Sequence, residues 1–243
     1  MHVKSTDLQN AFGKYLALVE KEQIIITKNG KNVAKLISYT QPDFVLVREG
    51  SNAYKLSKRV SYEEYLDLVN SSDQRYELID GEVYLLASPS FAHQLILNEI
   101  AWHFTNYFKG KPCRTLTAPF DVHLYGYATK FEEDPNVVQP DIIVICDLDK
   151  VTEDKKYEGI PSLLVEVLSP STKDKDLAIK TNLYKKSGIA EYWIVDIEAK
   201  QIAQYSFADK EVQNMQIYQI GDTIESATFA GLSIALAEIF TDI

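Results

Sequence analysis

The chain has 243 residues, 46% hydrophobic and 25% charged, a soluble globular composition with room for one large domain or a medium and a small one. No apolar run approaches a membrane span and the amino terminus lacks a basic-then-apolar signal, which predicts a cytoplasmic protein with no membrane partner. The net charge of −10 argues against a nucleic-acid partner until its distribution is read: residues 1–40 carry six lysines against three acids, and residues 41–243 carry 19 cations against 32 anions. The electropositive part is the first segment. Cys113 and Cys146 fit no metal-ligand spacing and imply no disulfide, so both read as reduced residues in or near the core.

The opening His2–Ser5 reads as a short strand and Thr6 to Lys21 as a helix, with Leu8, Phe12, Tyr15, Leu16 and Val19 forming one apolar stripe. Two β-rich runs, 23–28 and 32–37, then flank Asn29-Gly30, the strongest short hairpin signal because both central residues must take positive φ. A strand, a helix and a hairpin in about 40 residues bury too little surface to stand alone, so pairing with a second copy is expected. The segment, with Ile-Thr-Lys-Asn-Gly and Val-Ala-Lys-Leu-Ile, resembles the head of the prevent-host-death (Phd and YefM) antitoxins. That resemblance implies a dimerising, DNA-binding head over 1–42 with Lys4, Lys28 and Lys31 as candidate DNA contacts. No toxin partner is expected, because a different domain follows where the antitoxin tail would be. The bland alternative for the three lysines is a solvated surface.

Residues 43–59 are weakly patterned and read as a linker, with a short strand suggested at Phe44–Val47. In the remainder, 60–243, Ser61 and Glu64 form a capping box for a helix to Val69, and Asp80-Gly81 makes a turn between two strands. Phe91 to Phe108 reads as a long amphipathic helix whose aromatics belong to the core. Arg114–Tyr125 and Val137–Cys146 read as adjacent strands. Gln201–Phe207 and Glu211–Gln219 suggest an antiparallel pair, and Leu236–Phe240 a closing helix.

The chemistry concentrates between Gln139 and Asp196. Gln139-Pro140-Asp141 heads the run Ile142–Ile145, and Glu166 stands inside Leu163–Leu168, both typical of strands buried on two faces. An ionised acid in such a strand needs either a cation beside it or a place at a strand end facing a cleft. Ser171 or Thr172 is a suitable cap for a following helix that Gly188 stops, and on it Asp176, Lys180 and Tyr184 recur every four residues on one face.

Together with the Leu-Ile-Asp-Gly-Glu run at 78–82, the Ser-Pro before His93, and the Glu191–Asp196 strand, these motifs resemble the Uma-two family of restriction-endonuclease-like proteins. The match covers roughly Val60 to Phe240 and implies the α/β (α+β) fold of the PD-(D/E)XK nuclease superfamily, a mixed sheet flanked by helices. It also implies hydrolysis of phosphodiester bonds with Mg²⁺, for which Mn²⁺ can substitute. Leu168 stands where the superfamily's strand lysine is expected, and Lys180 holds the position to which the Uma-two pattern relocates it. Carried over residue by residue, Asp141, Glu166 and Glu77 become metal ligands, Lys180 the fourth catalytic residue, and His93, Glu82 and Tyr184 supporting candidates. The expected protein is thus a homodimeric or higher-order DNA endonuclease. The alternative is a non-catalytic DNA-binding regulator on a nuclease-like scaffold, in which Asp141, Glu166 and Lys180 are a structural ion network.

Overall fold

The computed structural model describes residues 1–19, 24–36, 47–48, 59–153, 157–169 and 175–241, and the chain divides into two units, Met1–Asp43 and Phe44–Ile243. In the first, β1 (His2–Lys4) runs parallel to β2 (Ile24–Lys28), which pairs antiparallel with β3 (Lys31–Leu36) around Asn29-Gly30 at φ 52° and 75°. The expected single helix is two: α1 (Ser5–Asn10) and α2 (Phe12–Val19), broken at Ala11 with φ −140°. Asn10 and Gly13, both weak helix formers, flank the break. Its consequence is that Phe12 leaves the apolar stripe and stands 50% exposed. Val3, Val19 and Ile24 are buried, packed by Leu8, Tyr15, Leu18 and Leu36.

In the second unit, β4 (Val47–Arg48) lies parallel to β6 (Glu82–Leu85), so a strand forms within the stretch expected to be linker, most of which lies outside the described residues. The helix α3 (Tyr62–Asn70) has the expected capping box at Ser61 and Glu64. Next, β5 (Tyr76–Ile79) turns into β6 through Asp80 and Gly81 at φ 49° and 78°. There follow α4 (Phe91–Phe108), β7 (Arg114–Thr117), β8 (Val122–Leu124), β9 (Asn136–Val138), β10 (Ile142–Ile145), β11 (Leu163–Val167), a π-helical segment at Lys175–Lys180, α5 (Thr181–Ser187) and β12 (Glu191–Asp196). The chain closes with β13 (Gln201–Ala208), β14 (Glu211–Gln219), β15 (Thr223–Glu225), β16 (Ser233–Ala235) and α6 (Leu236–Ile239).

Among the described residues the main sheet has the order β14-β13-β12-β11-β10-β7, and a second has the order β4-β6-β5-β9-β8. Each of the two long strands expected at 114–125 and 137–146 is therefore split between sheets. Pro119 and Pro140 fall in the gaps, where a missing N–H cannot continue a ladder. In the main sheet only β11 and β12 are parallel, joined through the segment that carries Lys180, and their neighbours are antiparallel.

Pleating then sorts the side chains. Ile142, Val144, Leu163, Val165, Trp193 and Val195 pack with Ile96, Ile100 and Phe104 of α4. Ile143, Ile145, Leu164, Tyr192 and Ile194 pack on the opposite face with Leu183 and Tyr184 of α5. Both faces are covered, which is why these strands read as unbroken apolar runs. Glu166, two residues from Leu164, is thereby directed to the α5 face.

The α4 aromatics expected in the core include two that are exposed, Phe91 at 80% and Trp102 at 60%, and the cysteine expectation is overturned as well. Cys113 and Cys146 form a disulfide, with their Cα atoms 4.0 Å apart. The β7–β10 register pairs Arg114 with Ile145, and extending it by one residue sets the two cysteines opposite each other. A pairing across 33 residues of intervening chain leaves no mark in local spacing.

Candidate active site

Three strand segments deliver three acids to one place. Leu78 of β5 pairs with Val137 of β9, which brings Glu77 beside the entry to the 139–141 turn, where its Oε1 accepts a hydrogen bond from the Gln139 N–H at 2.9 Å. Pairing of Ile142 with Val165, extended by one residue, puts Asp141 across from Glu166, and Asp141 Oδ2 accepts from the Val167 N–H at 2.8 Å. The C-terminal half of the β11–β12 crossover then supplies the cation: Lys180 Nζ lies 2.8 Å from Glu166 Oε1 and 2.9 Å from Glu77 Oε1. One turn further on, the Tyr184 hydroxyl donates to the same Glu166 oxygen at 2.7 Å. The four-residue spacing of Lys180 and Tyr184 thus works as a shared face. The side chain of Asp176, the third member of that expected face, lies outside the described residues.

Glu77, Glu166 and Lys180 are 0%, 4% and 2% exposed, so the ion cluster is buried. Carboxylates this deep are tolerable only with charged or multiple hydrogen-bond partners, and here one ammonium serves two of them. Asp141 is the acid closest to solvent, and His93 Nε2 stands 3.2 Å from its Oδ2. His93 is placed by the first turn of α4, whose Ser90 cap accepts from the His93 N–H.

Asp141, Glu166, Lys180 and His93 line a cavity of about 510 Å³, walled also by residues 86–90 and by Arg75. Glu82 stands apart from this group. Its Oε2 accepts from the Tyr84 hydroxyl at 2.8 Å, and burial followed by that hydrogen bond raises the Tyr84 pKa above the ordinary tyrosine value. In the first unit, Lys4 is in register with Thr27, and Lys28 with Lys31, so the three lysines are exposed at one end of the small sheet.

The donors are all oxygen, the chemistry that suits a hard divalent cation, which needs only one or two carboxylates with water completing its shell. Among the described residues, three carboxylates face one ammonium and one imidazole, an excess of negative charge that a further cation would offset. Among the described residues, however, no group of three or more His, Cys, Asp or Glu side chains is arranged to hold a metal ion. The geometry gives the reason: Lys180 occupies the space between Glu77 and Glu166. Asp141 and Glu166 remain the pair best placed to serve.

Two features escaped the sequence reading. Arg75 precedes Glu77 by two residues, and the Leu86 N–H to Arg75 carbonyl bond at 2.9 Å continues the β5–β6 ladder, so the pleat puts Arg75 and Glu77 on one face. Period two from Glu77 would have found it. Glu191, 0% exposed, is the second buried acid of the main sheet, and it is structural: it accepts from Trp193 Nε1, Gln204 Nε2, Ser226 Oγ and the N–H groups of Ala227 and Thr228.

Residues 62–237 match the Uma2 family model, described as "Putative restriction endonuclease", and residues 1–47 match the model "Antitoxin Phd_YefM, type II toxin-antitoxin system". A protein of Synechocystis named "Uncharacterized protein slr1290" is 27% identical over 183 residues, 75% of this chain and 92% of its own length. A solved structure from Anabaena variabilis, titled as a putative nuclease belonging to DUF820, aligns with TM-score 0.60 at 18% identity over 75% of this chain and 98% of that one. At that identity the likeness establishes the fold.

Proposed function

Since the chain belongs to the Uma2 family of restriction-endonuclease proteins over residues 62–237, we propose that it is a metal-dependent endonuclease hydrolysing phosphodiester bonds in DNA. The observation that carries this reading is that Asp141, Glu166 and Lys180 line one cavity, with buried Glu77 held behind them by Lys180. Asp141 and Glu166 would hold Mg²⁺ or Mn²⁺, with Glu77 assisting directly or through water. The ion would supply charge neutralisation at the phosphate and a more acidic water.

The protein's own groups do the rest. Hydrolysis forms a bond from water oxygen to phosphorus and breaks the bond to the leaving sugar oxygen, which takes up a proton. Lys180 aims or activates the attacking water, or stabilises the charge that develops on the phosphoryl oxygens. Tyr184 holds the Glu166 carboxylate, and His93 and the Val167 N–H hold Asp141, so that neither acid swings as the substrate arrives. The amino-terminal unit is proposed as a dimerising head. Its three clustered lysines would contact DNA phosphates, and exposed Phe12 and Val33, which the small core of that unit does not use, would face the second copy.

One observation favours a second reading. Lys180 already bridges both buried glutamates, an arrangement that suits a scaffold in a non-catalytic DNA-binding regulator. Supercoiled plasmid incubated with the protein and Mg²⁺, Mn²⁺ or chelator separates the two. Nicking or linearisation that needs the metal and is lost in Asp141→Ala, with melting temperature retained, supports the nuclease. Intact plasmid with tight, salt-sensitive binding supports the regulator.

A further inference from the structure

Among the described residues every sheet edge but one is guarded by charge or by brevity. β3 carries Lys31 and Lys35, β7 has four residues headed by Arg114, β1, β8, β15 and β16 have three each, and β4 has two. The exception is β14, nine residues long, which among the described residues pairs only with β13. From Val212 to Gly221 it carries no charge, although 25% of the chain is charged and the net charge is −10. Its one acid, Glu211, is paired with Lys185 of the same chain at 3.4 Å. A bulge opposite Ser206 and Phe207 bends only its start, and Asn214 to Gln219 run in unbroken register against β13. Register also sorts its side chains: Ile217 stands opposite Ala203, Met215 opposite Tyr205 and Val212 opposite Phe207, all on the α5 face. Those three are 54%, 43% and 46% exposed, an apolar stripe left open along the sheet margin.

A long strand with an open ladder, an apolar stripe and neither charge nor proline to blunt it is a template for one more strand. We propose that β14 pairs antiparallel with β14 of a second copy of this chain, joining the two main sheets into one. The residue pattern complements itself. A two-fold axis at Gln216 sets Met215 opposite Ile217 of the partner subunit and Ile217 opposite the partner's Met215, two apolar pairs on the α5 face. On the other face the same axis sets Asn214 opposite the partner's Tyr218, and past the strand ends it sets Lys210 opposite the partner's Asp222, of unlike charge. No like charges therefore meet along the contact, although each chain carries −10. That charge complementarity is what points to a second copy as the occupant. The contact also closes on itself, because one pairing consumes both open edges and leaves none for a third copy.

The test measures mass, not cleavage, so it does not rest on the nuclease reading. The regular part of β14 spans about 20 Å at ~3.4 Å per residue, a small contact, so the full chain is followed by light scattering after gel filtration at about 1–100 μM, where the parent should self-associate. Met215→Lys combined with Ile217→Lys sets ammonium opposite ammonium beside the axis and should raise the dissociation constant about tenfold or more. Both side chains are exposed, so the melting temperature should stay within about 2 °C of the parent's. Met215→Lys combined with Ile217→Glu sets unlike charges opposite each other and should recover association at low salt. Gln216→Cys, which lies opposite its own copy, should give a covalent dimer with a short bismaleimide. Phe12→Asp with Val33→Asp alters the head alone and should leave that cross-link in place. A parent that stays monomeric throughout, an unchanged dissociation constant in the first variant, no recovery in the second, or no cross-link at position 216 would each overturn the proposal. Plasmid nicking with unaltered masses sinks this inference alone, and mass changes with intact plasmid sink the nuclease reading alone.

Discussion

Replacing Lys180 with methionine removes the charge from the middle of the buried cluster at nearly constant volume. With the ammonium 2.8 Å from one glutamate oxygen and 2.9 Å from the other, those oxygens are separated by about 6 Å at most, a distance at which two unit charges repel by about 3 kcal/mol at an effective dielectric of ~20. Loss of one partner from a buried pair costs about 3–5 kcal/mol by itself. The two figures describe the same event, an uncompensated pair of carboxylates, and are not summed. Protonating one glutamate relieves the repulsion, so the deficit is largest where both stay ionised and shrinks as the pH falls. Lys180→Met should therefore lower the melting temperature by roughly 6–20 °C at pH 8 for a domain of this size, and by clearly less at pH 5, relative to the parent at each pH. Thermal melts followed by circular dichroism read this directly. A variant as stable as the parent at pH 8, or a deficit that widens on acidification, would mean that the ammonium does not hold the two acids together. Cleavage should be lost at both pH values.

Glu191→Ala leaves two side-chain donors, one hydroxyl and two main-chain N–H groups without their acceptor in the interior. A loss of about 3 kcal/mol or more is expected by chemical denaturation, with oligonucleotide binding of the surviving folded fraction unchanged; a neutral effect on stability would contradict the structural role. Burial, as the largest cause, raises the pKa of Tyr65, Tyr84 and Tyr157, and for Tyr157 a hydrogen bond to Asp147 adds to it. Folded values above the unfolded value of about 10 mean that this stability is complete below pH ~10 and lost as the pH rises beyond it. Melting temperature should fall steeply above that pH, and Tyr157→Phe should flatten the fall; equal melting temperatures at pH 9 and 11 would refute it.

What could be read from the residues alone followed how local the cause is. The turns at Asn29-Gly30 and Asp80-Gly81 and the Ser61–Glu64 capping box are settled within four residues, and the structure has all three where spacing puts them. The meeting of Cys113 and Cys146 and the donors to Glu191 are settled by register and by chain some 35 residues away, so no window contains their cause. The rule that singled out Glu166, an acid inside an apolar strand, applies equally to Glu191, and the two part company only in three dimensions. Pleating turns Glu191 to the face of Trp193 and α4, where neutral donors supplied by folding alone satisfy it. Glu166 faces α5, where among the described residues its charged partner is the Lys180 ammonium, which Glu77 also needs. A carboxylate saturated by neutral donors has nothing to gain from a metal ion, whereas two that divide one cation retain an excess of negative charge. That difference in partners makes Glu166 the ligand candidate and Glu191 part of the frame.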